Sequence, residues 1–113
     1  MQEILDKSFD FSIRAMEMIN YLKMENKPFP LSERFLSCAT GIGMAVRLMF
    51  ETGNQPFSDK GRQAFAYLLE VEYLLEVMVK TGYLSEKQSQ PMKDDCRRLK
   101  ALITEQLQGG AAI

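Results

Sequence analysis

The 113-residue chain has no histidine, no tryptophan, only two cysteines and almost no net charge, with 14 basic residues against 15 acidic ones. The missing histidine excludes a His-ligated zinc site, a Ser-His or Cys-His nucleophile and the Glu-x-x-His motif of di-metal bundles. Cys38 and Cys96 lie far apart and outside any Cys-x-x-Cys pairing. They are therefore expected as buried free thiols in a reducing compartment, not as a zinc knuckle or a redox dithiol. A formal charge of -1 leaves no whole-chain basic excess of the kind that advertises nucleic acid. The longest uncharged run, Phe35 to Val46, is well short of the ~18–20 residues a membrane span needs. Asp6, Lys7 and Asp10 interrupt the only apolar stretch near the start, so no signal peptide is read there. A cytoplasmic location is expected, with no membrane partner, no cofactor and no evident small-molecule substrate.

What is present is a chain 46% hydrophobic and 26% charged, with eight Met and seven Phe. That balance suits one soluble domain whose core forms without disulfides or metals. Apolar residues recur close to every 3.5 positions, and the punctuation between periodic stretches separates four helices. The first is expected from Gln2 to Lys23 or Glu25 with a stripe of Leu5, Phe9, Ile13, Met16 and Ile19, stopped by Asn26-Lys27-Pro28-Phe29-Pro30. The second begins at Ser32, read as a cap with Leu31 as its staple, and carries Phe35, Ala39, Ile42, Val46 and Met49 to about Glu51. After the turn-rich Thr52–Pro56, Ser58 and Asp59 are read as the cap and first turn of a third helix, whose stripe is Ala64, Leu68, Val71, Leu75 and Met78. Gly82 is the expected left-handed end of that helix. Ser85 with Gln88 makes a capping box for a fourth, striped by Met92, Cys96, Leu99, Ile103 and Leu107. Pro91 predicts either a separate turn over 85–90 or a bend in that helix.

Short connections make an all-α, antiparallel up-down-up-down four-helix bundle the expected fold, over residues 1–108. A frayed, flexible tail of small residues, Gly109–Ile113, follows.

Three N-terminal runs, Asp-Lys-Ser-Phe-x-Phe-Ser-Ile-Arg at Asp6–Arg14, Leu-Ser-Glu-Arg-Phe-Leu at Leu31–Leu36 and Thr-Gly-Ile-Gly at Thr40–Gly43, occur in order. Glu70 with Tyr73-Leu74-Leu75-Glu76, and Thr81-Gly82-Tyr83-Leu84, follow farther on. Together they resemble the four-helix bundle family whose founders are encoded in intervening sequences of 23S ribosomal RNA genes. The resemblance covers nearly the whole chain. It implies a bundle that assembles into a ring, typically a homopentamer, with no established catalysis. It also points loosely to an accessory role with ribosomal RNA or a mobile element. Where the family carries a polar Asn and an acidic residue after Ile42-Gly43, this chain has Ala45 and Leu48.

Projection of helix two at about 100° per residue puts Leu36, Met44 and Leu48 nearly opposite its core stripe, mixed with Arg47. One bundle cannot bury both faces of a helix, so these four residues are a candidate self-association surface; scattered ordinary surface is the other reading. Gly43 with Ala39 makes a small-x-x-x-small step suited to close helix packing, against a kink or a ligand pocket at a bend. Glu70, Glu72 and Glu76 invite a magnesium-dependent nucleotide hydrolase, but a solvated face with Glu76 and Lys80 paired explains them more simply. Lys93, Arg97 and Lys100, with Arg98 beside them, are the candidate phosphate contacts of a nucleic-acid reading that Asp94 and Asp95 weaken.

Overall fold

The computed structural model describes residues 2–51 and 57–111, which form four helices: α1 (Gln2–Met24), α2 (Ser32–Glu51), α3 (Phe57–Lys80) and α4 (Glu86–Ala111). α1 packs on α2 and α4, α3 packs on α2 and α4, and among the described residues the backbones of diagonal helices do not approach closely. Cross-helix contacts run in opposite directions along each neighbouring pair. Arg34 meets Glu70 while Met49 lies near Gly61, and Glu72 meets Lys100 while Gly61 lies near Leu107. The result is the expected antiparallel four-helix bundle, 49 Å long and about 20 Å across. Thr52–Pro56, read as a turn, lies outside the described residues.

Local chemistry explains the ends. α1 finishes with Asn26 at φ 58°, where the Lys27 amide donates to the Leu22 carbonyl (2.8 Å) and the Asn26 amide to that of Lys23 (3.1 Å). α3 closes in the same way at Gly82, φ 87°, with Tyr83 donating to Met78 (2.9 Å) and Gly82 to Val79 (3.2 Å). This paired pattern satisfies carbonyls that a helix end otherwise leaves bare, and it needs a residue tolerant of the left-handed region. The two turns sit together at one end of the bundle, joined by the edge-on rings of Phe29 and Tyr83 and by Lys27 Nζ donating to the Gly82 carbonyl (3.0 Å). At α4 the capping box is reciprocal: the Gln88 amide donates to Ser85 Oγ (3.0 Å), and the Ser85 amide to Gln88 Oε1 (2.8 Å).

Three expectations at the ends are corrected. Ser32 is inside α2: its hydroxyl donates back to the Phe29 carbonyl (2.6 Å) and caps no amide, while the Leu31 carbonyl accepts the first helical bond, from Phe35 (2.9 Å). α3 already begins at Phe57, which places Ser58 within the first turn. α4 passes unbroken through Pro91, which removes the separate-turn reading, and runs on through Gly109 to Ala111. Residues 112 and 113 lie outside the described residues.

The expected stripes of α2 and α3 are all buried, and so are those of α4 apart from a half-buried Leu107. α1 differs. Its buried side is Ile4, Ser8, Phe11, Ala15, Ile19 and Leu22, whereas Phe9, Ile13 and Met16 of the expected stripe are about half exposed. The reason lies in helix spacing. Small residues Ser8 and Ser12 let α1 approach α2, so the helix turns its small side inward and leaves a second apolar face outside.

Candidate interaction surfaces

The close approach of α1 and α2 is built from small side chains on both helices. A Cβ added at Gly43 would lie 3.2 Å from Ser12 Oγ and 3.4 Å from the Ser8 carbonyl oxygen, and Ser12 Oγ donates to the Ala39 carbonyl at 3.4 Å. Ala39 has no exposure. Outside this contact a groove of about 200 Å³ runs between the helices, floored by Ser8, Ser12 and Gly43 and walled by Phe9, Met44 and Arg47. Phe9 is 51% exposed and Met44 66%. The Arg47 guanidinium lies 5.5 Å from the centre of the Phe9 ring, where the ring's negative face attracts the cation.

The four residues expected to form an outer face of α2 are not equivalent. Met44 and Arg47 are exposed at the groove, whereas Leu36 packs against the core and Leu48 is half-buried. The exposed apolar surface at this edge comes instead from α1, through Phe9, Ile13 and Met16. Sequence reading assigned those residues to the core because α1 has two apolar stripes. The signal that separates them is the distribution of small residues: Ser8, Ser12 and Ala15 mark the inward side, opposite Ala39 and Gly43.

Between α2 and α3, Glu70 receives Arg34 Nε on one oxygen (2.9 Å), with Arg34 Nη2 on that same oxygen, and the Cys38 thiol on the other (3.0 Å). The Cys38 thiol and then Arg34 hold the Glu70 carboxyl below the usual carboxylate range. Burial and this hydrogen bond push the Cys38 thiol up to about 12. Cys96 is also raised to about 12, chiefly by burial. Both cysteines are buried and free, as thiols rather than nucleophilic thiolates.

The acidic trio of α3 does not converge. Glu70 is held by Arg34 and Cys38, Glu72 accepts from Lys100 (2.9 Å), and Glu76 stands exposed on the outer side. Among the described residues no group of three or more Cys, Asp or Glu side chains is arranged to hold a metal ion. Three of the four basic residues singled out on α4 are likewise engaged. Arg98 forks onto both oxygens of Glu3 (3.0 and 2.9 Å), Arg97 meets Asp94 (3.3 Å) and Lys100 meets Glu72. Arg98 also points toward α1 and Lys100 toward α3, which breaks the row in two. Lys93 alone of the four makes no ion pair among the described residues. No helix among the described residues is long and apolar enough to cross a membrane.

No protein-family model matches the sequence, and no curated protein matches it. A solved structure does. A protein of unknown function from the S23 ribosomal protein family of Bacteroides thetaiotaomicron superposes with a TM-score of 0.86 and 27% identity, over 92% of this chain and 97% of that one. With the same four-helix arrangement over nearly the full length of both proteins, the chain is similar to an S23-family protein, and its fold fits the intervening-sequence family that its motifs resemble.

Proposed function

We propose that the chain is a non-enzymatic interaction protein of the intervening-sequence type, which self-associates through the α1–α2 edge of its bundle. The observation that carries this reading is the apolar stripe of Phe9, Ile13 and Met16 beside Met44, left uncovered by a bundle whose own core is complete. A contiguous exposed apolar patch around a groove is the usual mark of an interface. A ring, such as the pentamer implied by the family resemblance, is the assembly this reading favours. Each subunit of a ring must offer two different surfaces, and the α1–α2 edge supplies one of them.

The RNA-associated reading draws on the S23-family likeness, and the ion pairs that engage Arg97, Arg98 and Lys100 weigh against it. The nucleotide-hydrolase reading has no cluster of carboxylates to support it.

Sedimentation and light scattering test self-association. The parent protein is expected to be a multimer at tens of micromolar, and Phe9→Glu with Met44→Glu is expected to yield a smaller species of unchanged helicity, because both positions are exposed. A parent that remains monomeric at that concentration, or a double variant of unchanged mass, overturns the proposal.

A further inference from the structure

The chain holds eight methionines and two cysteines, and the fold sorts their sulfur atoms by what can reach them. Cys38 and Cys96 are buried thiols pushed up to about 12, so neither offers the thiolate that reacts with oxidants. Met49, Met78 and Met92 lie in the core with at most 1% exposure. Met16, Met24 and Met44 are open, by 45%, 83% and 66%. A thioether has no proton to lose before it reacts, so access alone decides which of these methionines an oxidant finds.

Met16 and Met44 belong to the α1–α2 edge, while Met24 stands in the last turn of α1. Met44 alone of the three lines the groove, and its neighbours there define what an added oxygen would meet. Arg47 follows it one turn later on the same side of α2, with its guanidinium on the Phe9 ring and no ion pair among the described residues. The hydroxyls lining the groove have already given their hydrogens to carbonyl oxygens: Ser8 to Leu5, Ser12 to Ser8 and Ala39, and Thr40 to Leu36. They have none left for a sulfoxide oxygen, and Arg47 is the charged donor that can serve it. A guanidinium drawn to that oxygen leaves the face of Phe9, and an apolar rim becomes a polar one.

We propose that Met44 is a reversible oxidation site, converted by hydroperoxides to its sulfoxide, and that this change switches off association through the α1–α2 edge. The switch rests on the α1–α2 reading of self-association. The sulfur lone pair attacks one peroxide oxygen, an S–O bond forms as the O–O bond breaks, and the proton on the transferred oxygen passes to the departing hydroxide, which leaves as water. Sulfur loses two electrons and the peroxide gains them. A methionine sulfoxide reductase reverses the change at the expense of a dithiol, which becomes a disulfide while the oxygen leaves as water. The sulfoxide is polar where the thioether was flexible and apolar, the change that breaks methionine-lined contacts. The core methionines are out of reach, so the bundle keeps its fold and only its edge is altered. A neighbour seated on that edge covers Met44, so peroxide acts on the free subunit and competes with association.

Hydrogen peroxide is the probe, applied to the full chain, with peptide mass mapping to place each added oxygen and sedimentation to follow association. Met16, Met24 and Met44 are expected to take one oxygen each and Met49, Met78 and Met92 none, with the helical circular dichroism unchanged. The oxidised parent is expected to associate about tenfold more weakly. Met44→Leu, of similar volume and without sulfur, is expected to associate like the parent before and after peroxide. Met16→Leu and Met24→Leu are expected to stay sensitive. Met44→Gln, polar without any oxidant, is expected to associate as weakly as the oxidised parent. Reductase with dithiothreitol is expected to restore the oxidised parent and to leave Met44→Gln as it is.

A Met44 that takes no oxygen, an oxidised parent that associates unchanged, or a Met44→Leu protein that still loses association in peroxide overturns the switch and leaves the α1–α2 reading standing. A parent that is monomeric without peroxide overturns that reading, and the switch with it.

Discussion

Glu70 shows how a residue's surroundings set its chemistry. As one of three glutamates in seven positions it invites a metal site, yet its oxygens are taken by the Cys38 thiol and the Arg34 guanidinium. Both partners favour the ionised carboxylate, which lowers its affinity for a proton in the folded state. Glu3 is lowered in the same sense by the Arg98 fork. For a carboxylate whose folded pKa lies below its unfolded value, the stabilisation is fully present above the unfolded pKa and is lost as pH falls through the folded one. Thermal melts are therefore expected to be flat from neutral pH down to about the ordinary carboxylate value of 4.5 and to fall below it. Glu70→Gln is expected to make the decline shallower and to lower the melting temperature modestly at pH 7, because Arg34 is largely exposed and Glu70 is 32% exposed. An unchanged acid limb in the variant contradicts the assignment. The presence of Glu70 is read from sequence, but its partners come from another helix, and no spacing rule announces them.

At the scale of the element, α1 is the informative helix. Phe9 and Phe11 are two positions apart and thus on different faces, and only Phe11 is fully buried. Phe11→Ala is expected to cost about 3–5 kcal/mol through lost burial and a residual cavity, while Phe9→Ala is expected to cost well under 1 kcal/mol. Chemical denaturation of the two variants distinguishes this register from the one that the apolar stripe alone predicts. The other helices were legible because each has a single dominant apolar stripe. On α1, Leu5, Phe9, Ile13 and Met16 are as apolar as the true core positions and follow the same period. Hydrophobic periodicity cannot choose between two such stripes, and Ser8, a buried polar residue, counts against the correct one. Its burial is possible because its hydroxyl donates to the Leu5 carbonyl of its own helix (3.1 Å).

At the scale of the whole molecule, helix spacing decides which faces remain outside. α1 sits close to α2 because Gly43 presents no side chain to Ser8 and Ser12. Gly43→Val would place branched methyls against the Ser8 backbone, which cannot rotate away. It is expected to destabilise the protein by about 1–3 kcal/mol in a denaturant titration, despite valine's better helix propensity than glycine. A variant at least as stable as the parent would show that α1 and α2 have room to separate. The square arrangement also sets the groove between α1 and α2 on the edge opposite an apolar groove walled by Phe65 and Leu69 of α3 and Leu107 of α4.

The sequence by itself determined the number of helices, their ends to within a residue or two, the antiparallel order and the core stripes of three helices. These follow from local rules: helical period, proline and glycine at the breaks, a left-handed Gly82 and the Ser85–Gln88 box. It also located Gly43 and Ala39 as small residues in an apolar helix. Only the tertiary structure decided which stripe of α1 faces inward, because that choice depends on how closely α2 can approach. It separated Met44 and Arg47, which line an open groove, from Leu36 and Leu48, which neighbouring packing partly covers. It also paired Glu70 with Cys38 and Arg34, and Glu3 with Arg98, across helices far apart in sequence. Burial and charge pairing belong to neighbours in space, and a single helix projection contains no neighbours.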